Sequence, residues 1–182
     1  MTSAVARIPR RIQVLSGLAI VAVLAVVGYL LLAPQVTHVV SVPASLNGYV
    51  RQPAQASATA QQLKSRILTR AGGAVSNVVA ATYEKRAGSG VGSGPQIIVF
   101  IGGNSSSSGD FISGITELRG SFTTSAGSLG GQAACAPSTN GGPAECAWAD
   151  GDTFGVLVSA TLNATGLASE LRLMRPLVEH VS

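Results

Sequence analysis

Hydrophobic and polar positions repeat with different periods along this chain, and the changes of period divide it. Residues 14–33, VLSGLAIVAVLAVVGYLLLA, hold neither a charge nor a proline. A segment with no polar face predicts a membrane-spanning helix, and its twenty residues, rising about 1.5 Å each, match a bilayer core of about 30 Å. Arg7, Arg10 and Arg11 precede it, the first acidic residue is Glu84, and Pro34 closes it. The arginines predict a cytoplasmic tail over residues 1–13, a span in the plasma membrane, and export of everything that follows. A cleaved signal peptide is the rival reading. Its apolar core would run to about 7–15 residues and end in a small-x-small site. Here the run is longer, and Leu31-Leu32-Ala33-Pro34 is a poor cleavage site, so a retained anchor is expected.

Beyond the span the pattern breaks into short pieces. Residues 34–47 hold two prolines and no helical period, and predict an extended stalk leading to an extracytoplasmic domain over 48–182. A short strand is expected at 48–51. Residues 58–71 are helix formers, with Leu63, Ile67 and Leu68 on one face, Ser57 placed to cap the start and Gly72-Gly73 to stop the end. The β-branched and aromatic runs 77–85 and 96–101 predict strands, joined by the glycine-rich residues 87–95 into an antiparallel hairpin. Gly102-Gly103-Asn104 and the serines after it read as a low-complexity loop, followed by a helix over 109–118. Residues 132–136, 145–149 and 153–159 read as further strands. The last segment, 163–180, sets Leu167, Leu171, Met174, Leu177 and Val178 at spacings of three and four, the mark of an amphipathic helix that Pro176 should kink or end.

Helix, strand, strand, helix thus occurs twice, which predicts an α+β fold of antiparallel strands with helices packed on one face. The links between paired strands are too short for the helical crossovers of a parallel sheet. Residue identities barely match between the two halves, so duplication is only one way to account for the recurrence.

Charge alters this picture less than its total suggests. The formal net charge of +4 invites a nucleic-acid reading, but three of the twelve basic residues lie in the N-terminal tail. The exported part carries nine basic residues against all eight acids, and so has no basis for binding nucleic acid. What remains is an uneven distribution. Residues 51–86 hold Arg51, Lys64, Arg66, Arg70, Lys85 and Arg86 against Glu84 alone, while 110–152 hold five acids against Arg119. If the two stretches lie apart in the fold they form a polarised binding surface; otherwise they pair with one another or are merely solvated.

Chemistry-bearing residues are sparse. Cys135 and Cys146, the only cysteines, bracket the turn-rich APSTNGGPAE and predict a disulfide stapling two neighbouring strands, with no C-x-x-C redox spacing. His38 and His180 have no second ligand at zinc spacing and are expected to be exposed. Asp150-Gly151-Asp152 lacks the further oxygens of a calcium loop and reads as a turn. No serine stands in a nucleophile elbow, no glycine run matches a phosphate loop, and no cofactor motif is present. Trp148 shares a strand face with Cys146. Trp148, Asp150 and Asp152 form the candidate binding surface; Glu145, Asp150 and Asp152 are the carboxylates of an alternative hydrolase reading.

The segment Cys146-Ala147-Trp148-Ala149-Asp150, then Thr153, Gly155 and a helix carrying Leu171-Arg172-Leu173-Met174-Arg175, resembles an uncharacterised actinobacterial family of membrane-anchored extracytoplasmic proteins. The resemblance covers mainly residues 76–180. It implies one N-terminal transmembrane helix and pairing of Cys146 with Cys135, and it brings no catalytic residues.

The sequence therefore suggests a single-pass envelope protein whose exported domain binds an envelope protein or a ligand, as an accessory or sensing module without catalysis. Besides the hydrolase, a structural subunit packing its span through Gly17 and Gly28 is an alternative, though the two glycines are not at the spacing of four that favours close helix packing. Protein recovered from the membrane fraction should have the mass of a chain that retains residues 1–33; a chain beginning near residue 34 would end the anchor reading.

Overall fold

In the computed structural model, residues 38–53, 57–71, 73–86, 94–106 and 108–181 are described, residues 108–111 by their backbone alone. The expected tail, span and positive-inside arginines lie outside these residues. Among the described residues no helix is long and apolar enough to cross a membrane.

The strands are β1 (His38–Val40), β2 (Ser45–Leu46), β3 (Tyr49–Arg51), β4 (Val75–Lys85), β5 (Gln96–Ser105), β6 (Phe122–Thr124), β7 (Gln132–Ala136), β8 (Ala144–Ala149), β9 (Thr153–Ser159) and β10 (Glu179–Val181). The helices are α1 (Ala58–Ala71), α2 (Ser108–Thr116) and α3 (Ala164–Val178). Eight strands form one sheet in the order β2-β3-β4-β5-β9-β8-β7-β6, every pairing antiparallel, and β1 pairs with β10 apart from it. The mixed α+β class with an antiparallel sheet is as expected. Its centre is two hairpins, β4–β5 and β8–β9, set against each other through β5 and β9.

The helices do not pack on one face. Helix α3 covers one side of the sheet, where Leu167, Leu171 and Met174 meet Phe100, Leu157, Cys146 and Trp148. Helices α1 and α2 lie on the other, α1 over Val75, Val78, Val99 and Ile101, and α2 over Ala134, Ala136, Ala147 and Ala149. The physical reason is in the strands: QIIVFI, CAWA and TFGVLV are apolar at consecutive positions, and a strand apolar on both sides must be covered on both.

Three further expectations change. The stalk at 34–47 contributes β1 and β2 from His38 onward, and Leu46 is buried in the core. The glycine-serine stretch 102–105 is not loop but the end of β5. Glycine is needed there because a Cβ on Gly102 would come within 2.8 Å of Phe100 and Val40, and one on Gly103 within 2.8 Å of the Ser76 carbonyl. Pro176 lies inside α3 without ending it; the helix runs to Val178, capped at its start by Asn163, whose Oδ1 accepts from the Gly166 N–H.

The expected staple is present. Cys135 and Cys146 face each other across β7 and β8, with Sγ atoms 2.00 Å apart. On the same face Trp148 is fully buried, lies parallel to Phe100 with ring centroids 5.8 Å apart, and fills the place of the missing side chain at Gly155. A Cβ on Gly155 would lie 2.0 Å from the indole. Gly155→Ala should therefore cost about 3 kcal/mol or more in urea denaturation, at the upper end of overpacking, while Gly151→Ala, which meets nothing within 4 Å, should change stability by less than about 0.5 kcal/mol. Equal midpoints for the two variants would refute the wedge.

Candidate functional site

Two helices on one face of a wide sheet leave a gap when each covers its own hairpin. Helix α1 lies over β4 and β5 and α2 over β7 and β8, so β9 between them is only half covered. The result is a groove of about 560 Å³, within the roughly 300–1,000 Å³ of small-molecule sites. Ile101, Val156 and Val158 form its floor, Leu63 and Ile67 one wall and Ile115 the other. Val156 and Val158, although on a central strand, remain half-buried.

Polar groups enter the groove from α1 and β8. Arg66 and Arg70 are four residues apart and so share a side of α1, and among the described residues neither has an ion-pair partner. Glu145 stands beside Val158 on the neighbouring strand, and burial pushes its carboxyl above the ordinary glutamate range. The end of the groove at Ala71, Ala74 and Ser105 is apart from Glu145: the strand between the levels of Val158 and Thr153 spans about 16 Å at about 3.3 Å per residue.

The expected surface at Trp148, Asp150 and Asp152 is a different structure. Trp148 is in the core and cannot be a surface contact. Asp150 and Asp152 hold the turn between β8 and β9 and, with Arg175, His38 and Glu179, make a network at the other face of the sheet. Arg175 is fully buried. Its Nη2 donates to Asp150 at 2.5 Å, its Nε to Glu179 at 2.8 Å and its Nη1 to the carbonyls of Ala126 and Gly130, while its guanidinium lies 5.7 Å from the Trp148 ring centroid. Burial alone would raise the Asp150 carboxyl, but the N–H groups of Thr153 and Asp152 donate to it and hold it below the usual aspartate range.

His38 is not the exposed residue expected. Its Nδ1 lies 3.2 Å from Asp152 Oδ1 and its backbone N–H donates to Oδ2 of the same carboxylate. His38, Asp150 and Asp152 bring donor atoms within 4.8 Å of one another, but Asp150 is engaged by Arg175 and the turn, and Asp152 by His38. That arrangement is an internal ion-pair network. His180 is exposed, with Nε2 3.1 Å from Ser41 Oγ. The alternative carboxylate trio does not assemble either. Glu145 points with Ala147 and Ala149 to the α2 face, and the Asp150 turn lies about 16 Å further along the strand.

Sequence reading missed the groove, although a signal was present. Leu63, Arg66, Ile67, Arg70 and Ala71 recur at helical spacing, so the two arginines sit in the apolar stripe of α1 and not opposite it. Arg66 and Arg70 from the basic stretch and Glu145 from the acidic one meet in this groove. Protein-family models, curated proteins and solved structures offer no match to the chain.

The Asp152 hydrogen bond raises the His38 pKa, with the charges of Asp152, Glu179 and Asp150 adding to it against a smaller opposing effect of burial. A raised folded-state value means that the latch stabilises fully below the unfolded value of about 6.5 and loses its effect as pH rises through the folded one. The stability difference between wild type and His38→Gln should accordingly shrink from about pH 6.5 upward in denaturation at a series of pH values. A difference that grows with pH would contradict the ion pair.

Proposed function

We propose that this is a single-pass envelope protein whose extracytoplasmic domain is a binding module, with the groove between α1 and α2 as its ligand site. The observation that carries the reading is the half-covered central strand β9. Val156 and Val158 of this central strand stay half-buried between two helices, beside two arginines with no ion-pair partner among the described residues and a desolvated carboxyl. Concave apolar surface with a few converging polar groups is what small-ligand recognition needs.

The address rests on the sequence. The uncharged segment 14–33 behind Arg7, Arg10 and Arg11 supports an anchor with the N-terminus in the cytoplasm, and a disulfide at Cys135–Cys146 suits an oxidising compartment. The resemblance of the C-A-W-A-D segment to membrane-anchored actinobacterial proteins points the same way. An accessory or sensing role follows from a domain that binds on one side of the membrane while its chain leads to the other.

Gly114 gives the means of testing the groove without disturbing the fold, because it lines the groove on α2 and a Cβ there meets nothing within 4 Å. Full-length Gly114→Phe should keep its far-UV spectrum and its denaturation midpoint. Native mass spectrometry of wild type extracted from its own membranes should show a bound small molecule that the variant lacks. The same bound complement in both proteins would sink the reading.

A further inference from the structure

The geometry points to an anionic single-chain amphiphile as the occupant, with its alkyl body along Ile101, Val156 and Val158 and its headgroup on Arg66 and Arg70. This rests on the groove being a binding site and concerns which chemistry it selects.

Three observations carry it. The floor is a sheet face, so it offers side chains and no backbone N–H or C=O, all of which are engaged in the strand pairings of β5, β8 and β9. An extended peptide laid there would leave its own backbone groups unsatisfied against isoleucine and valine, at a cost of roughly 1–3 kcal/mol for each. An alkyl chain has no such groups. The length also suits it: the groove runs about 20 Å between the levels of Glu145 and Ser105, six residues at about 3.3 Å each, longer than a compact ring system requires.

The headgroup follows from charge. Helix α1 contains Lys64, Arg66 and Arg70 and no acidic residue, and the two arginines that line the groove are exposed and lack ion-pair partners among the described residues. Guanidinium groups about one helical turn apart can bind a carboxylate or phosphate from two sides. Glu145 settles the direction of the chain. An anionic head at its end of the groove would meet an acidic side chain and no arginine, so the apolar tail belongs beside Glu145 and Val158 and the head toward Arg70. A cationic amphiphile would have to place its head among arginines or alone at Glu145.

The test is photolabelling of the full chain in phosphatidylcholine proteoliposomes with a diazirine-bearing long-chain fatty acid, the adducts being located by peptide mass spectrometry. Adducts should fall on α1, α2 and β9, be suppressed by dodecanoate and by dodecyl phosphate, and be left unchanged by dodecyltrimethylammonium. Arg66→Gln/Arg70→Gln, at exposed positions that do not support the fold, should lower groove labelling by about tenfold or more, as for loss of charge-assisted hydrogen bonds. Groove labelling that is indifferent to both arginines, or suppressed equally by the cationic amphiphile, overturns the ligand class while leaving the groove a binding site. Suppression by an acidic peptide but not by dodecanoate overturns it as well. Absence of adducts from the groove overturns it too, and the Gly114→Phe comparison then reports separately on whether the groove binds anything.

Discussion

Arg175 is the interaction on which the arrangement of this domain depends. A guanidinium with no solvent exposure costs several kcal/mol in lost hydration, and the structure offsets that with two carboxylates, two carbonyls and an indole face. These partners come from separate places: Asp150 from the turn between β8 and β9, Glu179 from the start of β10, Ala126 and Gly130 from the connection between β6 and β7. None can move without leaving a buried charge short of a partner. The network therefore fixes α3 against the sheet and holds the end of β9 where the twin hairpins meet. Buried pairs of this kind add little net stability compared with apolar packing of the same volume, and their effect lies in excluding other arrangements of the same elements.

With one face closed so firmly, the other is free to remain open. The apolar contacts of α3, the disulfide and the stacked pair Trp148–Phe100 are all on the closed side. On the open side α1 and α2 each pack on a different hairpin, and the width of the sheet separates them. The groove thus arises from topology: two helices that cover separate strand pairs on one face leave the strand between them, β9, half covered, with Val156 and Val158 open along it.

Much of the fold could be read from the chain. The strands at 77–85, 96–101, 132–136, 145–149 and 153–159 and the first and last helices stand within a few residues of their expected bounds, because long runs of one period have few other uses. Strands β1, β2, β6 and β10, of two or three residues each, were not legible, since so short a piece has no period and exists only through its partner. Arg175 falls in the stripe of Leu167, Leu171, Met174 and Val178, and Arg66 and Arg70 fall in that of Leu63 and Ile67, and in both helices a charged residue on the apolar face marks a place of special chemistry. Which of them is buried and which opens onto a groove was not available from one helix alone, because it depends on where acidic partners arrive from distant parts of the chain.

The pairing of β1 with β10 places His38 opposite Val181, so the two ends of the folded unit leave it side by side. Tension arriving along the chain ahead of His38 would not be taken by an isolated edge strand. The carbonyl of His38 accepts from Asn104 at the end of β5, its N–H and ring bond Asp152, and its neighbouring strand continues directly from α3. A pull at that point would be shared among the central strands β5 and β9 and α3, the longest of the described helices, and not borne by β1 alone.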